Sequence, residues 1–167
     1  MGAVKKNYGR KQAWRNEAIS KLVYDLADLG QRACKYAIER RDYENQKYNL
    51  HDSIGSAVYV DGEIVLSSRR YADSKKSTGP YYDRGENATY SMMTGREAID
   101  NYWNEHSRIS TNNTIELVCV AATFYAGILE AGGVQVISAV VDYLENEMPK
   151  YKSYQPKMKA YSDLVSI

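Results

Sequence analysis

Ile54-Gly55-Ser56-Ala57-Val58-Tyr59-Val60-Asp61-Gly62-Glu63-Ile64-Val65-Leu66-Ser67 is the stretch that decides the fold. Two β-prone runs flank Asp61-Gly62. A two-residue Asp-Gly loop selects a type I′ turn, whose two central residues need positive φ and whose twist matches that of the strands. The turn in turn sets the register: Val60 opposite Glu63, Tyr59 opposite Ile64, Val58 opposite Val65 and Ala57 opposite Leu66. Opposed residues share a side. One face therefore carries Val58, Val60 and Val65, and the other Tyr59, Ile64 and Leu66. Both faces are apolar, so the hairpin needs cover on two sides.

Upstream, residues 16–40 place Ile19, Leu22, Val23, Leu26, Ala27, Ala33 and Ala37 at three- and four-residue steps, the stripe of an amphipathic helix. This helix supplies one cover. Gly30 lies inside it at a cost of roughly 1 kcal/mol relative to Ala, which marks a bend or a close approach to a neighbour. Residues 1–15 hold Lys5, Lys6, Arg10, Lys11 and Arg15 with little apolar periodicity, and read as a flexible basic arm, either solvated or in weak contact with DNA. No apolar stretch follows these charges, so a secretory signal is not expected.

Downstream, residues 67–93 are polar and rich in Ser, Gly and Tyr, and are expected to form a long inserted loop. Thr94-Gly95-Arg96-Glu97 has capping-box spacing, and Ile99, Tyr102, Trp103 and His106 follow at helical steps, predicting a short helix over 95–107. Residues 114–123 alternate as a strand, with Ile115, Leu117, Cys119 and Ala121 on one side and Val118 and Val120 on the other. Apolar residues on both sides predict a central strand. After Gly132-Gly133, Val136, Ile137, Val140, Val141, Leu144 and Met148 predict a last helix stopped by Pro149. The expected fold is α+β: a long N-terminal helix on a small antiparallel sheet, with a short middle helix and a C-terminal helix. Residues 16–149 form one domain, and 150–167 an extended tail.

Composition narrows the classes of function. With 22 Lys and Arg against 21 Asp and Glu, no global charge points to a polyanionic partner. Residues 117–141 contain a single charge, Glu130, but the apolar run is cut by Glu130, the two glycines and Gln135. It falls short of the ~18–20 residues of a membrane span. The two cysteines, Cys34 and Cys119, read as buried small hydrophobes. The chain has 16 Tyr and one Phe. Tyrosine suits surfaces that are wet before assembly and buried after it, although genomic base composition also skews such ratios.

Catalytic patterns are not legible. His51 and His106 are the only histidines, and neither stands at metal-ligand or triad spacing. Gly132-Gly133 lacks the Lys-Ser/Thr partner of a phosphate loop. The residues therefore read as a non-enzymatic chain with no cofactor and no metal. A thiol hydrolase using Cys34 or Cys119 is a distant alternative, and a small regulatory or binding module of a mobile element a nearer one.

Two stretches resemble the head–tail joining, or neck and tail-completion, proteins of tailed bacteriophages. The first, Tyr48-Asn49-Leu50-His51-Asp52-Ser53-Ile54, is similar to the family's Gly-Asn-Leu-Arg-Asp-Ser-Ile run at the entry to the first strand, with Tyr48 in place of Gly. The second, Tyr125-Ala126-Gly127-Ile128-Leu129-Glu130-Ala131-Gly132, is similar to a Tyr-Ala-x-x-x-acidic-x-Gly run expected at the end of a later strand. Residues 67–113 are longer than the family's pattern.

The resemblance implies a structural virion protein forming a sixfold or twelvefold ring of identical copies, bound to portal or adaptor and to tail proteins, assembled in the host cytoplasm. Candidate interface residues are Tyr59, Ile64 and Leu66 on a spare sheet face, Tyr71, Tyr81, Tyr82 and Tyr90 in the inserted loop, and Glu130. Glu130 is read either as pairing with a cation of the next subunit or as a solvated turn residue.

Overall fold

The computed structural model describes residues 2–40, 49–67, 81–84, 90–110 and 114–151. The elements run α1 (Gly2–Glu39), α2 (Asn49–Ser53), β1 (Ile54–Val60), β2 (Glu63–Ser67), β3 (Tyr81–Arg84), β4 (Tyr90–Met93), α3 (Gly95–Glu105), β5 (Ile115–Ala121), α4 (Phe124–Ala131) and α5 (Ser138–Glu147). A single 3-10 turn, Met148–Lys150, follows α5. The fold is α+β, with the long first helix on an antiparallel sheet ordered β2-β1-β5.

The hairpin forms with the expected turn: φ is 52° at Asp61 and 81° at Gly62. Its first two pairs are those read from the turn, Val60 with Glu63 and Tyr59 with Ile64. The register then slips, so Val58 pairs with Leu66 and Ala57 with Ser67. Val65 is the extra residue of a bulge, and it is 47% exposed. An inserted residue moves everything beyond it to the opposite face. Leu66 thus sides with Val58 and not with Tyr59 and Ile64, and the expected pairings of Val65 and Leu66 are corrected.

Both faces of the sheet are covered within the chain. On one, Leu29, Ala33, Cys34, Ala37 and Ile38 of α1 pack with Ile54 of β1, Ala121 of β5, and Ala139, Val140 and Leu144 of α5. Gly30 makes the close approach: a Cβ there would lie 2.7 Å from Ser56 Oγ and 2.8 Å from Leu117 Cδ1. On the other face, Ile99 and Trp103 of α3 pack on Ala57, Tyr59 and Val120. The sheet face expected to be spare is therefore filled by the middle helix. Its stripe is short, but two large side chains suffice for a three-stranded sheet.

Strand β5 was expected at the centre and lies at an edge, with β1 in the middle. Its apolar residues on both sides are explained by the two helical layers reaching past β1, with Leu117 and Cys119 towards α1 and α5, and Val118 and Val120 towards α3. The other edge is partly closed. Ile64 N–H donates to Ser107 C=O (3.2 Å) and Ile109 N–H to Gly62 C=O (2.9 Å), so the segment after α3 runs along β2.

Two further stretches differ from expectation. Residues 2–15 continue α1 as helix where an irregular arm was expected. Within 67–93, Ser67 ends β2, and β3 and β4 form an antiparallel pair, Tyr81 with Met93 through Arg84 with Tyr90; residues 68–80 and 85–89 lie outside the described residues. The C-terminal tail beyond residue 151 lies outside them as well. Among the described residues, no helix is long and apolar enough to cross a membrane.

Candidate functional site: two motif junctions on one core

The first motif is a junction. Asn49, Leu50, His51, Asp52 and Ser53 make the single turn of α2 and are all buried, and the chain passes straight into β1 at Ile54, also buried. Asn49 Oδ1 accepts the backbone N–H of Gly95 at 2.8 Å. Gly95 opens α3 behind the N-cap Thr94, where the predicted capping box forms. Glu97 N–H donates to Thr94 Oγ1 (3.3 Å), and Thr94 N–H donates to Glu97 Oε2 (2.6 Å). That backbone hydrogen bond from Thr94 is the main reason the Glu97 carboxyl sits below the usual range.

Ser53 carries the junction to a second element. Its hydroxyl donates to Leu50 C=O at 2.8 Å, closing the α2 turn, and its own C=O accepts Ala122 N–H at 3.0 Å. The side chains of Asn49 and Ser53 thus hold main chain. The element held by Asn49 is α3, 46 residues further on.

The second motif lies on helix α4, not at the end of a strand. Glu130 reaches across the Gly132-Gly133 turn to the start of α5. Its carboxylate accepts three consecutive backbone N–H groups: Val136 (2.9 Å) and Ile137 (2.7 Å) on Oε2, and Ser138 (3.1 Å) on Oε1. The first N–H groups of a helix have no partner within it and carry partial positive charge, so a carboxylate there serves as both acceptor and counter-charge. Burial pushes the Glu130 carboxyl up, but hydrogen bonds from the Ser138 side chain and the backbone of Ile137, Val136 and Ser138 outweigh it, and its pKa is lowered. Gly133, at φ 85°, provides the return of the chain. Half-buried Glu130 thus caps the start of α5 in its own chain, a role that neither expectation gave it.

The two motifs meet. Leu50 and Ile54 of the first and Ala126 of the second belong to one buried cluster, closed by Cys34, Ile38, Ala121 and Val136, with Tyr125 and Leu129 half-buried against it. No family model, curated protein or solved structure matches the chain.

The remaining expected interface residues separate into groups. Tyr59 is 1% exposed, within the cluster under α3. Its hydroxyl donates to His106 C=O at 2.5 Å, and burial, with Tyr102 nearby, pushes the phenol up to about 12. It is a core residue, and so not an exposed contact. Ile64 is half-buried against the same cluster, and Leu66 is half-buried on the other face. Tyr81 and Tyr82 lie on β3 and Tyr90 on β4, while Tyr71 lies outside the described residues.

Cys34 of α1 and Cys119 of β5 pack together. Contact with the Cys34 thiol and burial raise the pKa of Cys119 well above that of an ordinary thiol, the direction opposite to a nucleophile's. His106 is exposed at the end of α3, stacked on Tyr102 at 4.1 Å between ring centroids. Among the described residues, no group of three or more His, Cys, Asp or Glu is placed to hold a metal ion.

Proposed function

We propose that this chain is a structural subunit of a ring at the head–tail junction of a tailed bacteriophage, joining portal or adaptor proteins to the tail within the virion. The observation that carries the reading is the convergence of the two neck-like motifs. Leu50 and Ile54 share a cluster with Ala126, Asn49 organises the start of α3, and Glu130 organises the start of α5. Both motifs thus serve the framework of the domain, the work expected of a structural subunit. The order long helix, motif, hairpin, strand, motif, last helix supports the same reading.

A ring of identical copies needs two different surfaces that meet head to tail. With the α3 side of the sheet closed, the large apolar side chains left exposed among the described residues are Tyr24 on α1 (67%), Ile128 on α4 (62%), Met92 on β4 (55%) and Val65 at the bulge of β2 (47%). These replace the sheet face as the proposed contacts.

The test is the mass of the purified chain in solution, by light scattering, with electron microscopy of the same sample. The expected particle is a closed ring of six or twelve copies of the 19.0 kDa chain, weakened by Ile128→Asp. A monomer or dimer at every concentration, together with absence from purified virions, would overturn the proposal in favour of a regulatory module.

A further inference from the structure

We infer that two copies of this chain join their sheets edge to edge, β5 against β5, antiparallel about a two-fold axis at Leu117. The inference is independent of the ring reading, since a ring joins two different surfaces and this contact uses one surface twice. It starts from the phase of the hydrogen bonds in the sheet. β1 and β5 pair without a break, from Ile54 with Ala121 to Val60 with Ile115. Just beyond the two ends, Asp61 N–H donates to Thr114 C=O (2.9 Å) and Ala122 N–H to Ser53 C=O (3.0 Å). Bonding residues alternate along an antiparallel pair, so Glu116, Val118 and Val120 turn their backbone groups towards β1. Ile115, Leu117, Cys119 and Ala121 turn theirs to the outer side.

Among the described residues, nothing pairs with that outer side. Val120 and Ala121 are buried, whereas residues 115–119 are half-buried throughout, so the open part of the edge is 115–119. The chain treats its two edges differently. β2 carries the Val65 bulge and is flanked by Ser107 and Ile109, with Arg108 on Glu63 at 2.7 Å. Lysine, proline and bulges are the usual means of keeping an edge from pairing with another chain. β5 has none of them, and Glu116 is its single charge.

An added strand binds such an edge through main-chain bonds, and its alternate side chains decide which strand fits. The strand that fits is β5 itself. With Leu117 opposite Leu117 of the second copy, Ile115 meets Cys119 and Glu116 meets Val118. Ile115, Leu117 and Cys119 then each exchange both backbone bonds with their opposite residue. Their apolar row continues as the same row reversed, and the two glutamates do not face each other. Thr114 Oγ1 donates to Glu116 Oε1 at 3.2 Å and holds that carboxylate within its own chain. Neighbouring registers are worse. An axis at Glu116 opposes like charges, which destabilises a strand pair, and an axis at Val118 needs the buried end of the strand. The joined sheet ends at both sides on β2, the edge that each chain partly closes for itself.

The experiment is amide hydrogen exchange of the full chain, read at single residues over a range of concentration, with the mass followed by light scattering. The amides of Glu116 and Val118 should be protected at every concentration. Those of Ile115, Leu117 and Cys119 should gain protection only as copies associate. Ile115→Pro removes one outward N–H and no bond to β1, and proline is tolerated on an edge strand. It should keep the wild-type circular dichroism and weaken the association at least about tenfold, because both copies lose a bond. Ile128→Asp, aimed at the ring contact, should leave the protection pattern unchanged, so the two contacts fail separately. A chain that stays monomeric at the highest attainable concentration overturns the inference. So does association that leaves the three outer amides unprotected, or association of Ile115→Pro as tight as that of the wild type. Outer amides equally protected in the monomer overturn it as well, and show that the chain closes this edge itself.

Discussion

The Asn49 side chain accepts the Gly95 N–H at 2.8 Å, while the Asn49 carbonyl oxygen occupies the place a Gly95 side chain would need, 1.8 Å from its ideal Cβ. Main chain packs on main chain here, and the side-chain amide fixes the distance. Gly95→Ala must push α2 and α3 apart at a buried site, with an expected loss of about 3 kcal/mol or more, the upper end for overpacking. Asn49→Ala leaves a buried donor unpaired and should cost about 1–3 kcal/mol. Urea denaturation measures both; a Gly95→Ala chain as stable as wild type would refute the close contact.

Glu130 gives a pH signature. Its folded pKa is lowered, so its contribution is fully present above the unfolded value of about 4.3 and is lost as pH falls through the folded value. Glu130→Gln can accept through one oxygen only and carries no charge. It should be less stable than wild type at pH 7 by about 1–3 kcal/mol, the scale of hydrogen bonds to a charged group. The gap between the two chains should narrow as the pH falls from 6 towards 3. Glu97, also lowered, is present in both chains and cancels. A gap independent of pH would mean that the carboxylate charge contributes nothing.

Gly62→Val places a β-branched residue at φ 81° in the turn of the central hairpin. Such a residue is a true outlier at positive φ, and the expected cost is about 1–3 kcal/mol. For a domain of this size that lowers the melting temperature by several degrees, at roughly 2–4 °C per kcal/mol. Asp61→Asn, which tolerates positive φ, should leave it nearly unchanged.

Gly30→Ala sets two effects against each other. Helix propensity favours Ala by about 1 kcal/mol, but the added Cβ would stand 2.7 Å from Ser56 Oγ and 2.8 Å from both Ser56 Cβ and Leu117 Cδ1. The β1 atoms cannot swing away, so net destabilisation is expected in thermal melts. A more stable variant would show that α1 can lift off the sheet at no cost.

Replacing both Cys34 and Cys119 by Ala should lower stability modestly and leave assembly intact, because the thiols pack only against each other and the layer under α1. Ring formation by the double variant, measured by light scattering, is the check. Loss of rings at near-wild-type stability would reveal a role for the thiols beyond packing.

Features governed by neighbours along the chain were legible in the sequence. The I′ turn follows from Asp61-Gly62 because few residues accept positive φ, the Thr94–Glu97 box from two side chains one turn apart, and the faces of β5 from strict alternation. The bulge at Val65 was not, since alternation looks the same until a partner strand absorbs one residue too many. Nor was the role of Glu130 or of Asn49, because each meets backbone N–H groups, and every residue but proline offers the same one. Which N–H comes within reach is decided by how α3 and α5 pack on the sheet. The same packing put Tyr59 under Trp103 rather than at a surface. An apolar strand face requires a cover by its composition alone, and only the assembled layers determine whether that cover comes from the same chain or from another.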